Sequence, residues 1–175
     1  VPGPAPHAVE IFFRGLHATM VAAWLLFDFV VYWLHFKIKD PAYPLPSRLE
    51  RARVMHGIDT MVAWIFFLTL PVGIVLCYLT DTPLFTTPWL NWKHFMYGLI
   101  VVAAIVLVPI SGTSLRNLKA IEAGAPDVDR LNAQIRRDMN WGMPFVFGIW
   151  TLLVAMSLLS VFNIKCPHCH AFVFR

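Results

Sequence analysis

Charged side chains are scarce in this chain. Asp, Glu, Lys and Arg together make up 14% of its 175 residues while 58% are hydrophobic, against roughly 25% charged in an ordinary soluble domain. A soluble fold of this length could not hide so much apolar surface in one core, so lipid is the expected solvent. Cysteine is scarce too, and with three in the whole chain no disulfide framework is available to hold a small fold together. There is no P-loop and no Gly-rich dinucleotide fingerprint, which argues against nucleotide chemistry. No pair of acids is arranged for hydrolysis, and the absence of any internal repeat argues against a solenoid.

What is present is apolar and long. Four runs, residues 11–36, 54–80, 89–110 and 141–164, match or exceed the roughly 20 residues that cross about 30 Å of hydrocarbon at 1.5 Å per residue. A spanning segment must satisfy its backbone internally, so all four are expected to be helices. The first run is too long for the apolar core of a signal peptide and contains Trp24, Asp28 and Trp33, so it is expected to remain in the mature protein. The expected fold is all-α: an integral membrane four-helix bundle over residues 1–164, followed by a short tail over 165–175.

The connections between the runs differ in charge. Residues 37–53 carry Lys37, Lys39, Arg48, Arg51 and Arg53, with Pro41, Pro44 and Pro46 opposing helix continuation. Residues 111–140 carry Arg116, Lys119, Arg130, Arg136 and Arg137, and are expected to be partly helical around a break at 123–126. Residues 81–88 have no lysine or arginine. Ten of the 14 basic residues thus lie in the first and third connections, which must share one side of the membrane. The positive-inside rule makes that side the cytoplasm and turns both termini outward, into the periplasm of a bacterium whose inner membrane holds the protein. The net charge of +4 follows from this topology and calls for no nucleic acid partner.

The tail reads Cys166-Pro167-His168-Cys169-His170. This fits Cys-x-x-Cys-His, in which two thiols bond the vinyl groups of a c-type heme and the adjacent imidazole, His170, becomes an axial ligand of the iron. Such attachment takes place outside the cytoplasmic membrane, where the charge pattern puts the C-terminus. A redox-active dithiol, a zinc site made with His168 and His170, and a plain disulfide are the competing readings. Only five residues follow the motif, so the second ligand and the cover of this heme must come from elsewhere, with His7 or a partner subunit as candidates.

Ionisable groups within a span are costly and default to a functional reading. His17 in the first run and His94 in the third share a depth near the outward surface, where they are placed to ligate one heme b. His35 and His56, near the cytoplasmic ends of runs one and two, suggest a second heme or interfacial anchors. Arg14, His17, Trp24, Asp28 and His35 recur at heptad-like spacings, so one stripe of the first helix carries the polar residues of that span and is expected to face inward. His17 and His35 are about 27 Å apart along that stripe. Arg14 and Lys93 are suited to neutralise heme propionates or to reach the headgroups. Asp59, one turn after His56, is a candidate acceptor for its imidazole. Cys77 is expected to be a packed thiol, and Trp89, Trp92 and Trp141 to lie in interfacial belts.

Leu16-His17 followed by Trp24, Trp89-Leu90 shortly before Lys93, and Asn140 with Pro144 at the opening of the fourth run together resemble the small four-helix heme membrane proteins typified by the HemJ-type protoporphyrinogen oxidase. The resemblance covers residues 11–163. It implies a four-helix bundle that binds heme b through His17, with Lys93 near the site and a quinone-linked oxidoreduction. The chain departs from that family in having no second histidine later in the third run, which Pro109 is expected to interrupt, and in its Cys-x-x-Cys-His tail. The expectation is therefore a membrane cytochrome, an electron-transfer subunit with one or two hemes b in the bundle and heme c at the periplasmic surface, passing electrons between a quinol or partner subunit and a periplasmic carrier. Porphyrinogen oxidation and a non-redox anchor subunit are the alternatives.

Overall fold

The computed structural model describes residues 7–162. They form four helices: α1 His7–Lys39, α2 Leu45–Leu79, α3 Pro88–Glu122 and α4 Val128–Phe162. Each is 33 to 35 residues long, about 50 Å at 1.5 Å per residue, so each crosses the hydrocarbon and continues beyond it. All four are long and apolar enough to span a membrane. The bundle's surface is correspondingly apolar: Trp33, Trp64, Phe67, Trp92, Phe95, Val102, Ile105 and Trp141 are all exposed, an arrangement that only a lipid solvent tolerates at this extent. This is a multi-pass, all-α membrane protein.

The helices run up and down in sequence order. α1 packs on α2 and α4, and α3 packs on α2 and α4, so α1 and α3 face each other diagonally, as do α2 and α4. The described chain begins and ends at one end of the bundle. The ten basic residues of the first and third connections gather at the other, the basic end.

The prolines of the first connection oppose continuation of α1, which stops at Lys39, and Pro46 lies in the first turn of α2 with Pro44 as N-cap, where a missing N–H costs nothing. Two other expectations about proline need correction. Pro109 does not interrupt α3, which runs through it to Glu122, and Pro144 lies well inside α4 rather than at its start. Neighbouring helices at membrane depth hold such segments helical. The connection at 111–140 is helical on both sides of a break, as expected: α3 and α4 extend past the hydrocarbon, and the break spans 123–127, where Ala123 caps α3 and Gly124, at φ +82°, reverses the chain.

Two apolar layers fill the bundle. Near the basic end, Leu34 and Ile38 of α1, Leu49, Ala52 and Met55 of α2, Leu118 of α3, and Ile135 and Met139 of α4 are buried together. Further towards the terminal end lie Trp24, Phe66, Ile100, Ala103, Ile149 and Leu153. Phe66 and Tyr97 stack there, with ring centroids 4.5 Å apart. Arg48, 3% exposed, ties three elements at the basic end: Nε donates to the Ile38 carbonyl at 2.8 Å and Nη1 to Asn132 Oδ1 at 2.9 Å.

Candidate cofactor cavity

Between the Trp24 layer and the terminal end the bundle opens into a cavity of about 920 Å³, lined by all four helices and by the α2–α3 turn. Its volume lies in the range of small-molecule and cofactor sites, and its lining has their usual character: mostly apolar walls with a few placed polar groups.

The stripe on α1 faces inward as its spacing implies. Trp24, His35 and Ile38 are buried, and Arg14, His17 and Trp24 line the cavity. The ring of His17 lies against α2 where that helix is bare. A Cβ built on Gly73 would stand 3.4 Å from His17 Cε1 and 3.8 Å from Nδ1, so the glycine leaves just the space the imidazole fills. His17 Nδ1 is buried and has no hydrogen-bond partner.

The opposite wall comes from the start of α3. His94 lines the cavity with its ring centroid 6.1 Å from that of Phe85 in the preceding turn. Lys93 lines it as well; its ammonium donates to Ser160 Oγ of α4 and stands 5.0 Å from the centre of the Trp89 ring. Arg14 pairs with Glu10 at 2.7 Å and contributes to the rim. The structure thus brings four of the predicted residues, Arg14, His17, Lys93 and His94, to one cavity. Because α1 and α3 are diagonal, the two histidines reach the cavity from facing helices.

His35 and His56 do not line this cavity. His35 is 8% exposed, its Nε2 is unpartnered, and its ring centroid is 5.8 Å from that of Phe36. His56 turns towards α3, with Nδ1 3.3 Å from Ser111 Oγ and Cε1 3.8 Å from a Cβ built on Gly112. Asp59 interacts with Ser111 and with the His56 imidazole, so the serine, rather than Asp59 alone, is the polar neighbour of this ring. Cys166, Cys169 and His170 lie outside the described residues, as does the whole tail; His7 opens α1.

No family model matches the chain, and no curated protein or solved structure matches it. No match supports membership of the HemJ-type family, and the functional reading rests on the chemistry of the cavity. Among the described residues no three His, Cys, Asp or Glu side chains converge as a metal cluster. A heme makes a smaller demand, since porphyrin nitrogens fill the equatorial positions and the protein supplies axial ligands. A half-buried imidazole whose Nδ1 is unpartnered and which is seated on a bare glycine, a second imidazole from the facing helix, apolar walls and two cations fit that group.

Several lining residues escape a search for ligand-type side chains. Thr69, Gly73 and Cys77 recur every fourth residue along α2 and form one wall, while Ser157 and Ser160 of α4 stand on another. The signal for the α2 wall is present in the sequence as small residues at helical spacing, which let helices or a ligand approach closely. Cys77, expected as a packed thiol, borders the cavity.

Proposed function

We propose that the protein is a membrane cytochrome that holds a heme b in the terminal cavity and passes electrons to a heme c on the Cys166–His170 tail. The convergence of His17 and His94 from diagonal helices on one cavity carries this reading. His17 and His94 would hold the heme, each through a neutral imidazole nitrogen. Arg14 and Lys93 offset the propionate charges, and Ser160 fixes the direction of Lys93. The Trp24 and Tyr97 side chains close the floor and keep water from the basic end out of the site. A bound heme supplies a one-electron couple whose potential follows from its ligands and its burial.

The clustering of ten basic residues at one end supports a cytoplasmic location for that end and a periplasmic one for the chain termini, in a bacterial inner membrane. The tail motif then lies where covalent heme attachment occurs, on the same side as the cavity. Such a pair of sites suits an electron-transfer subunit between a quinol or partner subunit and a periplasmic carrier.

A pyridine hemochrome spectrum with intact mass counts the b- and c-type hemes together. His17→Leu and His94→Leu are each expected to delete the same b-type absorption and leave the c-type signal. Loss of different hemes by the two variants, or of none, overturns the pairing. The cavity also brings together His17 and Lys93, the two residues that the HemJ-type resemblance associates with its site. That juxtaposition favours porphyrinogen oxidation as the second reading, and turnover of a porphyrinogen by the purified protein distinguishes it from electron relay. Absence of any Soret absorption would leave a membrane anchor subunit.

A further inference from the structure

Below the floor of the cavity, within the spans, a second set of polar groups serves none of the roles above. Asp28 of α1 lies one turn past Trp24, and it is close enough to Asp59 of α2 for the two carboxyl groups to interact. The indoles of Trp24 and Trp150 flank Asp28, with Trp150 Nε1 left short of a hydrogen bond. Asp59 interacts with Ser111, whose Oγ lies 3.3 Å from His56 Nδ1. Carboxyl groups at this depth are expensive and persist where they have a function.

A separate observation extends this set towards the basic end. His35 Nε2, Ser114 Oγ and Asn117 Nδ2 are all buried and all lack a hydrogen-bond partner. His35 is 8% exposed and Ser114 1%, so neither is wetted from outside the bundle. Ser111, Ser114 and Asn117 follow one another at three-residue intervals on α3, covering about 9 Å of its length. His35 lies two turns past Asp28 on the inward stripe of α1. Buried polar atoms are almost always satisfied, and a site lined by several of them holds ordered water.

We propose that the basic-end half of the bundle contains a hydrated proton pathway, running past Asn117, Ser114 and His35 to Ser111 and His56 and ending on the Asp28–Asp59 carboxyl pair beneath the cavity. Protons move along it between water and side chains with no change of oxidation state. Within the spans, α1 contributes Asp28 and His35, with Lys39 beyond them, and α2 contributes His56 and Asp59; at the basic end the path begins beside Arg116 of α3 and Arg48 of α2, whose Nη2 is also buried without a partner. α3 has only Tyr97 between His94 and Arg116, and α4 has no ionisable residue from 139 to 162. The pathway delivers protons to the level of the cavity floor whatever the cavity binds.

The test uses the full chain reconstituted in lipid and transferred from H₂O to D₂O, with the carboxylic-acid C=O stretch followed by infrared spectroscopy. A protonated-carboxyl band that disappears in Asp28→Asn or Asp59→Asn assigns it to the pair. Ser114→Val, which puts two methyl groups in place of the hydroxyl in the path, is expected to slow the deuterium shift of that band by about tenfold or more. Thr151→Val, on the lipid-facing side of α4, is expected to leave the rate unchanged. If Ser114→Val does not assemble, His35→Phe provides the same block and His35→Gln, which keeps polar atoms in place, is expected to restore exchange. A band unaffected by both aspartate variants overturns the proposal, as does an exchange rate equal to wild type in the blocking variant or equally slowed in Thr151→Val.

Discussion

Substitutions at Gly73 test the seating of His17 without touching the histidine. A Cβ there would stand 3.4 Å from His17 Cε1, an ordinary van der Waals contact, so Gly73→Ala leaves the ring where it is. Alanine also removes the conformational cost of a helical glycine, about 1 kcal/mol, and the variant is expected to be at least as stable as wild type. Gly73→Leu is different. Its side chain extends past Cβ into the volume that the imidazole occupies, and either the ring or α2 must move. Overpacking of this kind costs about 1–3 kcal/mol. If the displaced group is a heme ligand, most of that cost falls on the bound state and weakens heme b binding by about 5- to 150-fold at 1.4 kcal/mol per factor of ten. The assay is a heme titration of the apoprotein followed in the Soret region, with helical content checked by circular dichroism. Graded behaviour is expected: wild-type affinity for alanine, a large loss for leucine, helical content intact in both. Gly73→Leu that binds heme b as tightly as wild type would refute the placement of His17 as the ligand on this wall.

Replacing Cys166 and Cys169 by Ala is expected to abolish covalent heme staining after denaturing electrophoresis while leaving b-type absorption; a stain that persists would remove the c-type assignment. A reporter fused after Arg175 is expected to be active only in its periplasmic form, and a cytoplasmic result would reverse the proposed orientation. Arg48→Ala deletes two charge-assisted hydrogen bonds, to the Ile38 carbonyl and to Asn132, and is expected to destabilise the bundle by about 3 kcal/mol, read as a lower unfolding midpoint in detergent. Arg48→Lys is expected to recover little of this, because one ammonium cannot reproduce the fork that reaches both acceptors.

Much of the architecture was legible before any coordinates. Four spans, their helical state and the gathering of basic residues at one end follow from hydropathy and loop charge, since hydrocarbon admits few other solutions for a chain of this composition. The inward stripe of α1 was legible too, because its polar residues are spaced at the helical period in a span where lipid excludes them from the outer face. Proline was misleading. The interruption expected at Pro109 ignores that packed neighbours at membrane depth sustain a helix through a proline. The helical parts of 111–140 and the break near Ala123–Pro126 were legible as well, because Gly124 and Pro126 mark a chain reversal between two proline-free segments.

The sequence by itself determined which side chains were available for a site: His17 and His94 at one depth, His35 and His56 at another, Asp28 and Asp59 between them. Only the tertiary structure decided which of them meet. The order of the helices around the bundle sets α1 and α3 diagonally, so His17, His94, Arg14 and Lys93 surround one space. The same order turns His56 to Ser111 and buries His35 inside the bundle with its Nε2 unpartnered. Small residues make the difference visible only in three dimensions, since Gly73 matters for the ring that fills the room it leaves. Helical spacing assigns a residue to a face; which face it meets depends on the rotation and the order in which the helices pack.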